Sequence, residues 1–419
     1  MLPEKLQADI LLDRYFETVD SVYPYIHRQT FYADYTAFWS LSTAEKARTD
    51  AAFLALLFSM LAMGCQFVLT PSRTTKQTAE FYVSAGHQAL RMSSYLNKTS
   101  IRSIQAMVLI TYFLINDNHA SDGWAFAGIL MRQAYAMGLH RDPNIVVPHA
   151  AEFEKQQRRK LWQAVLFQDT FLTVLLSLPP SATHTDVSVS SLVDDADSIA
   201  STSPTDTAYI RGCWALANLV QESICSPRSL SLPIASTPRQ KSTLLSAFRA
   251  VYRSFPDHFR SFTATSLIAL ARTNKRLVRQ TLFLTSNYWH NVMLLHASSS
   301  PPPAPSSTTE GGPRNEPAVP VSVKGVLEAA HEAMTAFAIL WEIFGSEARV
   351  WWVFCHRSFL QACCVGDVLR REAGRPDGGA GEVRGESALG VRARNDIGES
   401  TFFSCPLFFF FFSVVAVAV

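Results

Sequence analysis

The sequence predicts an all-α protein: a multi-helical antiparallel array, built as a single large helical body with disordered insertions. Two observations carry this prediction. From Leu6 to Ser177 apolar residues recur at intervals of three and four, and no alternating run of β-branched residues marks a strand. Hydrophobic residues make up 48% of the chain and charged residues 17%, a balance that buries a core rather than leaving the main state disordered. At 419 residues the chain has length for two to three domains of roughly 150 residues, or for one large helical body.

The elements follow in order. Leu6, Ile10, Asp13, Phe16 and Val19 share one side of a first helix, which Pro24 closes. Ala51 to Leu69 is almost wholly apolar, but Ser59, Gly64, Cys65 and Gln66 dilute it, so it reads as a central core helix rather than a membrane span. Thr78 to Asn97, Ile101 to Asn116, Ser121 to Leu139 and Glu152 to Ser177 continue the array, and Pro179-Pro180 stops the last of them. Thr183 to Thr207 is rich in Ser, Thr and Asp and reads as an acidic connection. Helical patterning resumes at Ala208 to Cys225 and between Gln240 and His296, where Leu245, Phe248 and Tyr252 make an apolar face. Ser298 to Pro320, with Pro301-Pro302-Pro303 and Gly311-Gly312-Pro313, is a flexible insertion. Val323 to Phe344 and Val350 to Arg371 form a final pair.

Gly374 to Ser400 has no periodicity and leads into an apolar tail, Phe402 to Val419, that includes five consecutive phenylalanines, Phe408 to Phe412. The tail has about the minimum spanning length, so a tail anchor is one reading. Translation of a pyrimidine-rich non-coding tract is the other, and it suits a phenylalanine homopolymer better. The expected organisation is a helical core at 1–190, an acidic Ser/Thr-rich connection at 191–207, a helical continuation at 208–297, a Pro/Ser-rich insertion at 298–322, a helical pair at 323–372 and a low-complexity tail at 373–419.

Charge and cysteine content narrow the function classes. Lys and Arg number 37 against 35 Asp and Glu, so no global field draws the chain to nucleic acid or anionic lipid. Seven cysteines, at 65, 213, 225, 355, 363, 364 and 405, lack framework spacing and read as reduced thiols of an intracellular protein. No basic stretch leads into an apolar one at the N-terminus, so no secretory signal is expected and the Asn97-Lys98-Thr99 sequon has no use.

No catalytic motif is complete in the sequence. No phosphate-binding loop or dinucleotide fingerprint occurs. His140-Arg141-Asp142 copies the start of a kinase catalytic loop, but Val147 stands where its metal-binding Asn should be. His331-Glu332 begins like a zinc-protease helix, yet Thr335 replaces the second histidine. His290 and His296 fall about 240° apart around a helix. Cys355, His356, Cys363 and Cys364 form the densest soft-ligand group, but a helix points adjacent cysteines apart, and buried free thiols are the better reading. No catalytic, cofactor or metal residue is nominated.

The densest pattern lies between Ser121 and Asp142. Ser121 can cap a helix and Asp122 suits its first turn, while Ala120, Trp124, Ala127, Met131, Ala134 and Gly138 trace one helix face. Ala127, Gly128 and Ala134 would let a neighbouring helix approach closely, with Trp124 and Met131 filling the gaps. Gly138-Leu139 suits a left-handed helix end, and Pro143 prevents continuation. In the next helix Trp162, Val165, Asp169, Leu172 and Leu176 form one stripe, and a carboxylate there needs a donor, for which Arg132 and Arg141 are the candidates. Arg158-Arg159-Lys160 could contact phosphate, but reads better as a solvated face.

These runs resemble a known family. Tyr15-Phe16, the stretch from Val22-Tyr23-Pro24-Tyr25 through Phe31, Gly128 to Asp142 with Arg132, Ala134, Gly138, Leu139, His140 and Arg141, and then Arg158-Arg159-Lys160-Leu161-Trp162 with Asp169 and Pro179-Pro180-Ser181, are similar in order and spacing to the fungal-specific transcription factor regulatory domain. That is the middle homology region of fungal zinc binuclear cluster regulators, and the resemblance covers about residues 9 to 190. It implies an all-helical, nuclear, non-catalytic domain that restrains or permits a neighbouring DNA-binding module. The implied partners are transcriptional coregulators or a second copy, with a small-molecule effector also admitted and a membrane disfavoured. Trp124, Met131 and Trp162 would form a rigid wall. Zinc and DNA binding belong to a six-cysteine module, and no two cysteines here are separated by two residues. Ser177-Leu178-Pro179 also replaces the family's more usual Gly-Arg-Pro. The competing expectations are a helical enzyme using Asp169 or His140 on an apolar metabolite, and a tail-anchored regulator.

Overall fold

The computed structural model describes residues 2–68, 72–182, 204–299 and 318–373. Most of the acidic connection, most of the Pro/Ser-rich insertion and the whole phenylalanine-rich tail lie outside these residues. The described chain is all-α, without a strand, and divides into two compact units: Met1–Leu176 with Pro180–Ala217 and Arg349–Trp352, and Ser177–Pro179 with Asn218–Ala348 and Val353–Val419.

The first unit contains α1 (Lys5–Val22), α2 (Arg28–Ser40), α3 (Thr43–Lys46), α4 (Ala51–Gln66), α5 (Arg73–Met92), α6 (Ile101–Asn116), α7 (Ala120–Ala136), α8 (Pro143–Val146), α9 (Glu152–Leu176) and most of α10 (Pro204–Val220). Its centre is α4 and α6, whose residues are buried nearly all round because neighbours pack on every side: α1, α5 and α6 on α4, and α5, α7 and α9 on α6. The apolar run from Ala51 is thus a core helix, and among the described residues no helix is long and apolar enough to cross a membrane.

Helix ends follow local chemistry. Ser72 with Thr75 and Ser100 with Ser103 each make a reciprocal cap, so α5 starts at Arg73, five residues before the expected Thr78. Left-handed residues end α5 at Ser94 (φ 55°), α6 at Asn118 (φ 64°) and α7 at Gly138 (φ 68°).

Two expectations are corrected here. In α1 the buried face runs through Ala8, Leu12, Tyr15, Val19 and Val22, whereas Leu6 and Ile10 are 72% and 60% exposed and Asp13 is exposed. The cause is at Gly64, where α4 crosses the backbone of Leu11 and sets which side of α1 faces inward. Ser121 is not a cap: α7 begins at Ala120, with His119 at the N-cap position and no side-chain cap. The left-handed end of α6, with the His119 N–H on the Leu114 carbonyl, hands the chain straight into α7 and places Ser121 inside its first turn.

The second unit holds a π-helical turn (Gln221–Cys225) continuing from α10, then α11 (Ser226–Ser229), α12 (Pro238–Ser254), α13 (Asp257–Arg260), α14 (Ala264–Leu270), α15 (Lys275–Ala297), α16 (Val323–Ala348) and most of α17 (Trp352–Ala373). Its main contact is α15 on α16. Lys241 closes the end of α15: its ammonium donates to the carbonyls of His296, Ser298 and Pro320 at 2.9, 2.8 and 2.8 Å. Burial pushes Lys241 down to about 8, while three carbonyls meet the three hydrogens of its charged form. Helix α16 passes Phe344, the expected end, through a non-helical step (φ −129°, ψ 44°) and continues to Ala348.

Candidate functional site

The pattern around Gly138 folds into a corner of the first unit. The Gly138 N–H donates to the Tyr135 carbonyl and the Leu139 N–H to the Ala134 carbonyl, at 2.9 and 3.0 Å, which closes α7 with a left-handed glycine. A Cβ on Gly138 would also stand 3.0 Å from Val146 Cγ1, so conformation and space both require glycine there. Leu139 and Ala134 are buried, and His140 packs edge-on against Tyr135 and Trp162. Gly128 needs no close approach, since nothing lies nearer than 4.0 Å to its would-be Cβ; the tight contact falls on Gly123, against Ile115 and the Thr111 carbonyl. Trp162 and Met131 are fully buried and Trp124 half-buried.

Two residue readings change. The basic run is not a solvated face: Arg159 and Lys160 are only 3% and 4% exposed. Arg159 pairs with Glu152 (3.1 Å) and Asp142 (3.4 Å), and Asp142 also caps α8 by accepting the Asn144 N–H. Arg158 donates to Glu154 and to the Met137 carbonyl at the open end of α7. The run therefore fastens the start of α9 to the α7–α8 corner.

Among the described residues Asp169 meets no arginine, and Arg132 and Arg141 are exposed. Its carboxylate accepts the backbone N–H groups of Ser181 and Ala182 at 3.0 Å, tying the chain after α9 back onto that helix. Burial raises the Asp169 pKa, and the two N–H groups work in the opposite direction. Asp169→Ala is expected to cost about 2–3 kcal/mol in urea unfolding, because two buried N–H groups lose their acceptor, with Asp169→Asn costing clearly less. Equal costs for the two substitutions would count against this assignment.

The second unit offers polar groups but no ligand set. His290 is fully buried, with Nδ1 3.3 Å from Gln361 Nε2, and burial together with Arg357 and Arg228 drives its pKa well down. Cys363 is exposed and Cys355 and Cys364 are half-buried, which corrects their reading as buried thiols: α17 turns them to different sides. Among the described residues no three His, Cys, Asp or Glu side chains are grouped to hold a metal ion.

One opening in the first unit stands apart from these packing contacts. A half-open cleft of about 440 Å³, open solvent included, lies where the end of α1 meets α6, α9 and α10. Tyr23, stacked on Tyr112 at 3.7 Å, forms one wall, and Gln163, Ala164 and Phe167 of α9 with Cys213 and Trp214 of α10 line the rest. The Tyr209 hydroxyl donates to the Val22 carbonyl at 2.9 Å, anchoring α10 to the end of α1, and the Tyr25 hydroxyl donates to the Gln105 carbonyl. Burial raises the pKa values of Tyr25, Tyr112 and Tyr209 and pushes the Cys213 thiol up to about 12, so these groups stay neutral. Tyr23-Pro24-Tyr25 and Lys160 fell within runs singled out from the sequence. Tyr112, Gln163 and Tyr209 did not, and Cys213 entered only as one of the scattered thiols; Gln163 alone had a local signal, the spacing Lys160, Gln163, Phe167 along α9.

Residues 12–288 match the family described as fungal specific transcription factor domain, well over half of the chain. The chain belongs to this family. Proteins similar to it include several named as fungal transcription factors. The Zn(2)-C6 fungal-type transcription factor mpsB of Macrophomina phaseolina is 28% identical over 188 residues, 42% of this chain and 24% of that protein. Transcription factor opdR of Penicillium oxalicum is 29% identical over 182 residues, 43% and 22% of the two chains, and transcription factor yanR of Aspergillus niger 26% over 209 residues, 46% and 26%. The chain thus spans about a quarter of the length of these relatives. Family membership gives the chain a regulatory, non-catalytic part in transcription, and nothing in these relatives supports the enzyme reading.

Proposed function

We propose that this helical body acts in the nucleus as an effector-responsive regulatory domain, in which occupation of the first unit's cleft shifts a balance between states of different transcriptional output. The observation that carries the reading is the cleft itself: its walls come from the end of α1, α6, α9 and α10, so a bound molecule would bias how these elements pack. The output would pass through contacts with coregulators or a second copy of the domain. DNA and zinc would be reached through a binuclear cluster module, whose cysteine pattern this sequence does not contain.

The test is a reporter assay in a fungal cell, with the chain fused to a heterologous DNA-binding domain. Filling the cleft with Ala164→Trp, or from the opposite wall with Cys213→Phe, is expected to change reporter output at least about fivefold at equal protein abundance, the lower end of typical allosteric coupling. Output that stays at the wild-type level with both folded variants would overturn the effector reading.

A further inference from the structure

We infer that the exposed face of α12, in the second unit, lies along the phosphate backbone of duplex DNA and holds it without reading its sequence. This goes beyond the reading of the cleft and does not rest on it. Three observations carry it.

The first is where the charge sits. The chain as a whole is nearly neutral, with 37 Lys and Arg against 35 Asp and Glu. Between Ser226 and Ala297 that balance fails, because ten residues are lysine or arginine and only one, Asp257, is acidic. Asp257 is itself taken up by Arg260. Helix α12 holds Arg239, Lys241, Arg249 and Arg253 and no carboxylate. A local field of one sign attracts a polyanion even where the net charge of the chain does not.

The second is geometry. Arg239, Ser242, Ser246, Arg249 and Arg253 recur at intervals of three, four, three and four, and all five are exposed. That spacing sets them in one stripe along the helix, about 21 Å from end to end. Lys241 and Phe248 are buried and fasten another side of α12 to α15, through the His296 carbonyl and the Tyr288 ring, so the stripe is carried on a packed helix. Among the described residues none of the three arginines pairs with a carboxylate. Glu332, which reaches α12 from α16, acts on the Tyr252 hydroxyl, outside the stripe.

The third is what the stripe lacks. No large apolar side chain of α12 is exposed. An acidic peptide helix docks through apolar anchors, and an anionic membrane takes up a helix by its apolar face; neither finds a hold here. A phosphate backbone asks only for charge and hydrogen-bond donors. Guanidinium forks with serine hydroxyls between them supply both, and a fork can hold one phosphate with two N–H groups. Of the nucleic acids, duplex DNA is the one that a domain of a transcription factor family works beside.

The probes are two short, fluorescently labelled DNA duplexes of unrelated sequence, titrated with the full chain and followed by anisotropy. Both are expected to bind equally well. Three neutralised phosphates give a slope of about −2.7 in log affinity against log salt, so affinity should fall about fortyfold between about 50 and about 200 mM salt. Arg239→Gln, Arg249→Gln and Arg253→Gln combined should weaken binding at the lower salt at least about tenfold and remove most of that slope. Should the triple variant fail to fold, Arg249→Gln and Arg253→Gln taken singly decide the matter, each flattening the slope by about 0.9. The control replaces three exposed cations elsewhere, Lys324→Gln, Arg370→Gln and Arg371→Gln, and should change affinity less than about twofold, since salt confines the action of exposed charges to about 10 Å. No binding at the lower salt, an affinity that the stripe variants leave unchanged, or a control as damaging as the triple variant would each overturn the assignment. So would tighter binding of a duplex RNA, of polyglutamate or of phosphatidylserine vesicles than of DNA, or a clear preference for one of the two DNA sequences.

Discussion

Replacing Glu347 by leucine is expected to destabilise the second unit by about 3–5 kcal/mol. Arg279 on α15 and Glu347 on α16 form a two-pronged ion pair, with Nε to Oε2 at 2.9 Å and Nη2 to Oε1 at 2.8 Å, and their side chains are 2% and 5% exposed. The guanidinium lies 4.3 Å from the centre of the Phe344 ring, on the residue whose backbone leaves helical geometry. Removing the carboxylate keeps the arginine buried while withdrawing the acceptor of two of its N–H groups. The cost comes from taking the carboxylate away from a buried charge rather than from any large net benefit of the pair, since desolvating both ions nearly offsets their attraction. The double replacement Arg279→Met with Glu347→Leu should therefore return to within about 1 kcal/mol of the wild type or exceed it. Chemical denaturation of the three variants measures this directly. A single substitution costing under about 1 kcal/mol would mean that the pair is hydrated in solution.

The second large effect is expected at Gly64. Helix propensity alone says that Gly64→Ala inside α4 should stabilise by about 1 kcal/mol. The crossing with α1 says the opposite, because a Cβ there would stand 2.1 Å from the Leu11 carbonyl oxygen and 2.9 Å from its carbon. Both atoms are backbone, so no side chain can swing aside and α1 must move. We expect a loss of about 3 kcal/mol or more, at the upper end of overpacking penalties. Gly345→Ala is the control: it lies within α16 with nothing inside 4 Å of its would-be Cβ, and should be neutral or slightly stabilising. Thermal melting of the two variants separates the predictions by sign.

The same contrast between local and distant causes runs through what could be read in advance. Ile101–Asn116 folds as a helix with the bounds that its apolar spacing predicts, and Glu152–Leu176 ends one residue short of expectation. Gly138 takes the left-handed conformation that its place after a helix and before Pro143 suggests. The first helix was legible as a helix but not in its orientation, because Leu6 and Ile10 are as apolar as the residues that became core. Asp169 shows the same division. A carboxylate on an apolar stripe requires donors, and it has them, but they are backbone N–H groups 12 and 13 residues downstream that no side-chain pattern announces. The burial of Arg159 and Lys160 is not legible locally: Arg159 is covered where it meets Glu152 and Asp142 of the α7–α8 corner, and Lys160 lies along the cleft that the end of α1 and α10 form with α9.

From its sequence alone this protein was determined to be all-helical, with most of its helices and stops in place and a regulatory family recognisable in the order of its motifs. These features depend on interactions within about four residues, where the repeat of the helix and the chemistry of its ends act. Only the tertiary structure decided which face of α1 is buried, what satisfies Asp169, why Gly64 cannot carry a side chain, and that Tyr23, Tyr112, Gln163 and Cys213 border one cleft. The cleft joins positions separated by up to some 190 residues, and no periodicity along the chain encodes a meeting that the packing of whole helices brings about.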